Sequence, residues 1–115
     1  MKLSVGVIET MDSLRDSARY LKSVGFDGVD FSFCEHMMEK EKFLSEENCR
    51  RLLERAKIIR EEGLEICQSH LPFGPGHLVL EDDTYLSYEA FLLPMLIRSI
   101  ELCGEIGCPV AVIHL

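Results

Sequence analysis

Two histidines follow apolar, strand-like segments, and this placement is the feature of the sequence most open to chemistry. His70 comes directly after residues 64–69, and His114 comes directly after residues 110–113. Prolines and glycines in residues 72–76 then prevent regular strand pairing. Reactive side chains of α/β proteins commonly lie at the carboxyl ends of parallel strands, so we predict that both imidazoles meet at one rim. The alternative is a pair of hydrogen-bonded rim histidines without chemistry.

Three further residues are candidates for the same rim. Residues 28–33 alternate apolar side chains at odd positions with polar ones at even positions, which predicts a strand covered by helices on one face and polar on the other. Asp30 lies on the polar face, where it either orients a histidine or is satisfied by backbone donors. Glu9 follows the first predicted strand, although loop acids are commonly just solvated. Phe73 lies in the loop after His70, and packing is its more common role.

The bulk composition favours one compact domain and disfavours nucleic acid as its partner. The chain has 115 residues, of which 47% are hydrophobic, enough for a modest core. Its net charge of -8 repels a phosphate backbone, so nucleic acid is disfavoured as a partner. The one dense basic region, residues 50–60, is interleaved with glutamates and is typical of a solvated helix face. His36 and His77 lie in loops without a partner pattern, and we expect both at the surface.

The cysteines and the start of the chain favour a soluble, cytoplasmic protein. The five cysteines are odd in number, and no pair has the two-residue spacing of a zinc knuckle or a thioredoxin-type site. We therefore expect most of them to be reduced core residues. Met1 leads into a strand-like segment without a signal-like leader, and no apolar stretch approaches the roughly 18 residues of a membrane span.

The pattern of segments predicts alternating strands and helices. We expect strands at residues 3–8, 28–33, 64–69 and 110–114. A helix capped by Asp12 or Ser13 ends at Gly25, a helix capped by Ser45 ends at Gly63, and a helical region from residue 82 ends at Gly107. Pro94 lies inside that region and predicts a kink, or a second helix that starts near Leu93. The order β-α-β-α-β-α-β predicts a parallel sheet with right-handed crossovers.

Apolar residues at helical spacing predict the face that each helix buries. The expected buried residues are Leu14, Ala18 and Leu21 in the first helix, Leu52, Ala56 and Ile59 in the second, and Leu96, Ile100 and Cys103 in the third. Residues 35–43 are charged and contain two methionines, which predicts a loop or a short helix. The three helix-ending glycines are each followed closely by a strand, and their spacing of about forty residues suits repeated βα units.

The sequence resembles the first half of the xylose isomerase-like TIM-barrel superfamily. The resemblance rests on three segments that together span nearly the whole chain: Gly25-Phe-Asp-Gly-Val-Asp30, Ser69-His70-Leu-Pro72 and Ser99-Ile-Glu-Leu-Cys-Gly-Glu-Ile-Gly107-Cys-Pro-Val-Ala-Val-Ile-His114. This superfamily contains sugar and sugar-phosphate isomerases and epimerases, and also abasic-site nucleases of the endonuclease IV type. The family usually has glutamate at the position of Asp30, so this chain carries an acid of shorter reach.

The resemblance implies a metal-dependent sugar isomerase or epimerase. Such enzymes remove a proton beside a carbonyl, and a divalent cation such as Mn, Mg, Co or Zn stabilises the enediolate. His70, His114, Asp30 and Glu9 would then contact a carbohydrate, and Phe73 would cover the sugar ring. In the endonuclease-like alternative, His70 and His114 bind zinc instead, and the substrate is abasic DNA.

The resemblance covers only half of a barrel. A full (β/α)8 barrel needs about 250 residues, and in this family most metal ligands lie on strands five to eight. We therefore expect a truncated N-terminal half-barrel, residues 1–115, that is inactive alone because its metal cage is incomplete. The other alternative is a non-catalytic half-barrel whose open edge strands, beside an uncovered apolar interior, lead to self-association.

Overall fold

The computed structural model describes residues 1–6, 11–73 and 88–114, and they form one four-stranded parallel sheet with helices. The strands are β1 (Ser4–Gly6), β2 (Gly28–Ser32), β3 (Glu65–His70) and β4 (Ala111–Val112). Their order in the sheet is the order in the chain, and all three pairings are parallel. The predicted α/β class and parallel sheet are therefore confirmed, whereas residues 7 and 8 of the first predicted strand lie outside the described residues.

Within the described residues, four α-helices connect these strands, and two of them begin at predicted serine caps. They are α1 (Leu14–Ser23), α2 (Lys40–Leu44), α3 (Glu46–Glu61) and α4 (Leu93–Ile106). The Ser13 hydroxyl accepts a hydrogen bond from the Asp16 N–H (3.1 Å), and the Ser45 hydroxyl accepts one from the Asn48 N–H (3.2 Å). Each bond satisfies an N–H group that the first helical turn leaves unpaired.

The third helical region divides as the proline predicts. A π-helical turn, Tyr88–Leu92, leads into α4, which begins at Leu93 with Pro94 in its first turn. A proline in this position sacrifices no hydrogen bond, because the first N–H groups of a helix have no partner within it. A helix that starts at Leu93 was predicted and is observed, but it follows the π-helical turn without a break, because Leu92 keeps helical backbone angles. Residues 82–87 lie outside the described part of the chain.

The core lies between one face of the sheet and a single layer of helices. Val29 and Phe31 of β2 and Phe33, which follows the strand, are buried, as the odd-position pattern predicted. Helix α1 packs on α3, which packs on α4. The cluster that they share contains Ala18, Leu52, Ala56, Ile59, Ile66, Met95, Leu102 and Ile106. The three residues predicted to be buried in α3 are all buried, whereas Leu14 and Leu21, also predicted to be buried in α1, are only half-buried. Since helices α1, α3 and α4 all contact this one cluster, they cover the same face of the sheet.

The predicted buried face of α4 was wrong at Ile100, which is 50% exposed. The buried stripe instead follows Met95, Ser99, Leu102 and Ile106. Ile100 lies one residue past Ser99, which turns its side chain by about 100° around the helix axis. A residue four positions after Leu96 can lie at either edge of the buried stripe. The apolar pattern alone therefore did not determine which way the stripe faces around the helix axis.

All five cysteines have free thiols, but only two of them belong to the core. Cys49 and Cys103 are buried, while Cys34, Cys67 and Cys108 are half-buried. The expectation that most cysteines are core residues was therefore wrong. In the described ranges, no helix combines the length and the apolar character that crossing a membrane requires.

The corrected phase of α4 predicts different outcomes for two neighbouring substitutions. Leu102→Ala should lower the free energy of unfolding by about 3 kcal/mol, because it leaves a cavity in the core. Ile100→Ala should change it by no more than about 0.5 kcal/mol, because that side chain is half exposed. Urea unfolding followed by circular dichroism measures both values. Equal losses for the two variants would contradict this phase of the helix.

Candidate functional site

The two predicted histidines lie together at the carboxyl end of the sheet. His70 is the last residue of β3, and Val112 of β4 is its partner in the parallel register. His114 lies two residues beyond Val112, on the same face. The two imidazoles are stacked, with ring centroids 5.3 Å apart and planes inclined by 22°. Strand register thus brings two groups that are 44 positions apart in the chain into contact.

Asp30 orients the His70 imidazole. The His70 Nδ1 lies 2.8 Å and 3.0 Å from the two carboxylate oxygens of Asp30, and the Gln68 side-chain amide donates a further hydrogen bond of 2.8 Å to Asp30. The Asp30 side chain is only 18% exposed. Of the two roles considered for Asp30, the structure supports histidine orientation, since both of these partners are side chains.

This contact has a chemical consequence for the outer nitrogen of His70. A carboxylate only accepts hydrogen bonds, so the Nδ1 of His70 carries the proton and donates it to Asp30. In the neutral ring, Nε2 then keeps a free lone pair. The His70 side chain is 33% exposed, which leaves the ring accessible to a ligand. An imidazole fixed in this way can accept a hydrogen bond, coordinate a cation or take up a proton.

Phe73 extends the ring surface beyond the histidines. Its ring centroid lies 4.9 Å from that of His114, with the planes inclined by 52°, and the residue is 39% exposed. We name the surface of His70, His114 and Phe73, with Asp30 behind it, the histidine rim. Glu9 was predicted at the same rim, but it lies outside the described residues.

The register between β2 and β3 decides which face His70 occupies. Val29 is paired with Ile66, but the next residue, Asp30, is paired with Gln68, so Cys67 is an extra residue in β3. Since side chains alternate along a strand, one inserted residue reverses the face of everything that follows it. Without this irregularity, His70 would share the face of Ile66 and point into the helical layer. With it, His70 and Gln68 join Asp30 on the other face.

Gly28 accommodates the extra residue. A Cβ at this position would collide with the Cys67 Sγ and lie 2.7 Å from the backbone oxygen of Glu65, closer than Cβ atoms approach other heavy atoms. Glycine is therefore required where Cys67 crosses β2, although its φ is not in the left-handed region. Glycine at residue 28 thus belongs to the structural basis of the site.

The sequence carries a signal for this irregularity that was not used in predicting the strand. The buried apolar position of β3 before the irregularity is even, Ile66, and the next buried apolar position, Leu71 just past the end of β3, is odd. A change of parity within one strand-like segment indicates a bulge. The predicted strand at residues 64–69 was assigned no inward or outward face, so the face of His70 was not predicted.

The face that carries the histidine rim differs from the uncovered apolar interior expected for a half-barrel. On β2 and β3 it carries Asp30, Ser32, Gln68 and His70, and β4 adds the half-buried Val112. The apolar residues of β2 all point the other way, into the helical layer. The exposed face of the described strands is therefore mostly polar, which is suitable for a hydrogen-bonding ligand.

A second charged cluster surrounds His36, in the segment between β2 and α2. Its ring nitrogens lie 3.2 Å from a Glu39 oxygen and 3.4 Å from a Glu35 oxygen, and the residue is half-buried rather than at the surface as predicted. Burial acts to raise the pKa of Glu35, but its 2.8 Å contact with Arg51 outweighs burial and holds the pKa below its usual range. Glu35 is therefore ionised and engaged by Arg51. His77 lies outside the described residues.

The described residues do not supply a complete metal site. Across residues 1–6, 11–73 and 88–114, no group of three or more histidine, cysteine, aspartate or glutamate side chains is arranged to hold a metal ion. At the histidine rim, the Asp30 carboxylate is already engaged by His70 and Gln68, which leaves two imidazoles as candidate ligands. Catalytic zinc sites use three protein ligands, so these side chains do not fit the implied cation by themselves.

Comparison with known proteins adds no family assignment. Neither a scan against protein-family models nor a search of curated proteins found a match to this chain. The function is therefore inferred from the fold and from the geometry of the histidine rim.

The role of Gly28 can be tested by adding one methyl group. Gly28→Ala should lower the free energy of unfolding by about 2 kcal/mol, because the new Cβ overlaps Cys67 and the backbone of β3. Gly6→Ala is the matched control in the neighbouring strand, because a Cβ there has no atom within 4 Å. It should change stability by no more than about 0.5 kcal/mol. Urea unfolding and amide hydrogen exchange in β2 and β3 measure the effect, and a neutral Gly28→Ala would contradict the packing described for Cys67.

Proposed function

We propose that this chain forms the sugar-binding half of a sugar or sugar-phosphate isomerase or epimerase with a TIM-barrel fold. In this proposal, His70 and His114 contact the hydroxyl or carbonyl oxygens of the substrate, and Asp30 orients His70. The contact between Asp30 and the His70 Nδ1 is the observation that supports it most directly, because it favours the tautomer in which Nε2 can accept a hydrogen bond from a ligand.

The strand order supports the barrel part of the proposal. In doubly wound sheets the strand order reverses, and the ligand binds where it reverses. The described sheet has no reversal, and right-handed crossovers between consecutive parallel strands place all connecting helices on one face. In a TIM barrel, a sheet with this strand order closes so that its second face lines the interior, and the active site lies at the carboxyl ends of the strands. The histidine rim occupies that position in the described sheet.

The chemistry of the rim suits a carbohydrate. The imidazole nitrogens of His70 and His114 provide hydrogen-bond donors and acceptors for hydroxyl groups, and Asp30 holds the His70 ring in place. Phe73 adds an exposed aromatic ring beside His114, which can pack on the C–H face of a sugar. A small number of placed polar groups beside an aromatic surface is the usual composition of a small-molecule site.

The proposal assigns binding, rather than proton removal, to the described residues. Isomerisation beside a carbonyl also needs a base, and a divalent cation when present supplies the charge that stabilises the enediolate. The described side chains do not complete such a cation site, so these groups would come from elsewhere in the protein. The endonuclease-like and self-association alternatives stay predictions, and the net charge of -8 counts against DNA as the substrate.

Sugar binding by the purified chain tests the proposal. Fructose and fructose 6-phosphate should shift the imidazole NMR signals of His70 and His114. His70→Gln should weaken binding about tenfold, the usual loss for one hydrogen bond to a ligand of this kind. Asp30→Asn should weaken it by a smaller factor, because the ring remains but loses its orientation.

His36→Gln serves as the matched control for these variants. His36 is also a half-buried histidine held by carboxylates, but it lies outside the histidine rim. Its substitution should leave the dissociation constant unchanged. If neither sugar perturbs His70 and His114 in the folded chain, or if His36→Gln weakens binding as much as His70→Gln, the proposed site is wrong.

A further inference from the structure

Cys103 and Cys108 lie together at the carboxyl end of α4. The backbone N–H of Cys108 donates to the carbonyl of Cys103 (2.9 Å), and that of Gly107 donates to Gly104 (3.2 Å), with Gly107 at a left-handed φ of 73°. This is the Schellman arrangement of a helix end, in which the first and last residues of the turn commonly touch. Here the two residues in contact are both cysteines.

The backbone geometry permits a disulfide between them. With an N···O distance of 2.9 Å, standard bond lengths limit the separation of the two Cα atoms to about 6.8 Å. Disulfides span Cα separations of about 4.4–6.8 Å. The Cys108 thiol is also close enough to Cys103 to raise its pKa. The separation of the two Cα atoms therefore does not exceed what a disulfide can span.

The two thiols differ in accessibility. Cys103 is 5% exposed and its Sγ lies 3.1 Å from the Ser69 hydroxyl, whereas Cys108 is half-buried and its Sγ lies 3.3 Å from the Val110 carbonyl. Burial raises the pKa of the Cys103 thiol, and the hydrogen bond with Ser69 only partly offsets this. A thiol with a raised pKa is a poor first nucleophile. Cys108 is therefore the first to react, and Cys103 the second.

We propose that Cys103 and Cys108 are a redox-active dithiol that closes to a disulfide with a low-molecular-weight disulfide such as oxidised glutathione. The Cys108 thiolate attacks one glutathione sulfur, forms a mixed disulfide and releases one reduced glutathione. Cys103 then attacks the Cys108 sulfur and releases the second glutathione. The two cysteines lose two electrons and two protons, and one oxidised glutathione becomes two reduced molecules.

Closure of this disulfide would reach the histidine rim through Ser69. Ser69 is fully buried, precedes His70 in β3 and uses its hydroxyl to contact the Cys103 sulfur. When that sulfur turns toward Cys108, the hydroxyl keeps only a long contact of 3.4 Å to the Val110 carbonyl. Oxidation therefore alters the packing of Ser69, the residue next to His70. In this way the oxidation state of the dithiol affects the histidine rim.

Equilibration of the whole chain in glutathione buffers of rising oxidised fraction tests the dithiol. After alkylation and trypsin digestion, the peptide that begins at Ser99 carries both cysteines, because residues 99–115 contain no lysine or arginine. As the buffer becomes oxidising, this peptide should become resistant to alkylation and lighter by two hydrogens. Cys34 is the internal control, since it is also half-buried and should not close an internal disulfide.

Two variants separate the steps. Cys103→Ser should stop at glutathione on Cys108, and Cys108→Ser should leave Cys103 reduced because it is buried. The proposal of a redox-active dithiol is overturned if the wild-type peptide stays fully alkylated at every ratio of oxidised to reduced glutathione. It is also overturned if wild-type Cys108 stops at the mixed disulfide.

The connection to the rim has its own readout. Oxidation should shift the imidazole NMR signals of His70 in the wild type, and Ser69→Ala should abolish that shift while the disulfide still forms. A disulfide that forms in the wild type without any change at His70 would overturn the coupling through Ser69.

Discussion

The hydrogen bond between Asp30 and His70 is the interaction on which the histidine rim depends. It joins neighbouring strands, and it exists because Cys67 adds one residue to β3 and reverses the face of the residues after it. Gly28 makes room for that extra residue. Ligand binding costs little conformational entropy at these two side chains, because both are already held on strands. A rim fixed in this way presents a defined nitrogen to a ligand rather than a freely rotating ring.

The two faces of the sheet have separate tasks. One face packs Val29, Phe31 and Phe33 against a single helical layer and contributes most of the buried apolar surface. The other carries polar side chains that would be costly in a core but are suited to a ligand. Ser69 is the exception, because it lies next to His70 in sequence yet points into the helical layer and contacts Cys103. That position connects the core with the rim.

Sequence patterns predicted the fold better than the site. The helices were located from their serine N-caps, from the glycines at their carboxyl ends and from Pro94. Each of these residues acts through local backbone geometry. The strand-end position of His70 and His114 correctly indicated that the two lie together. The face of His70 was not predicted, because it depends on a pairing irregularity whose only local trace is the parity change between Ile66 and Leu71. Ile100 was misplaced because spacing alone does not fix the phase of an apolar stripe.

The imidazole tautomer of His70 in the ligand-free protein tests the central claim most directly. Long-range 1H–15N NMR distinguishes a protonated ring nitrogen from an unprotonated one, and His70→Gln identifies which signals belong to this residue. At a pH where the ring is neutral, Asp30 should hold the proton on Nδ1 and leave Nε2 unprotonated. A ring protonated mainly on Nε2 would contradict the contact with Asp30, and with it the register and the binding mode that depend on that contact.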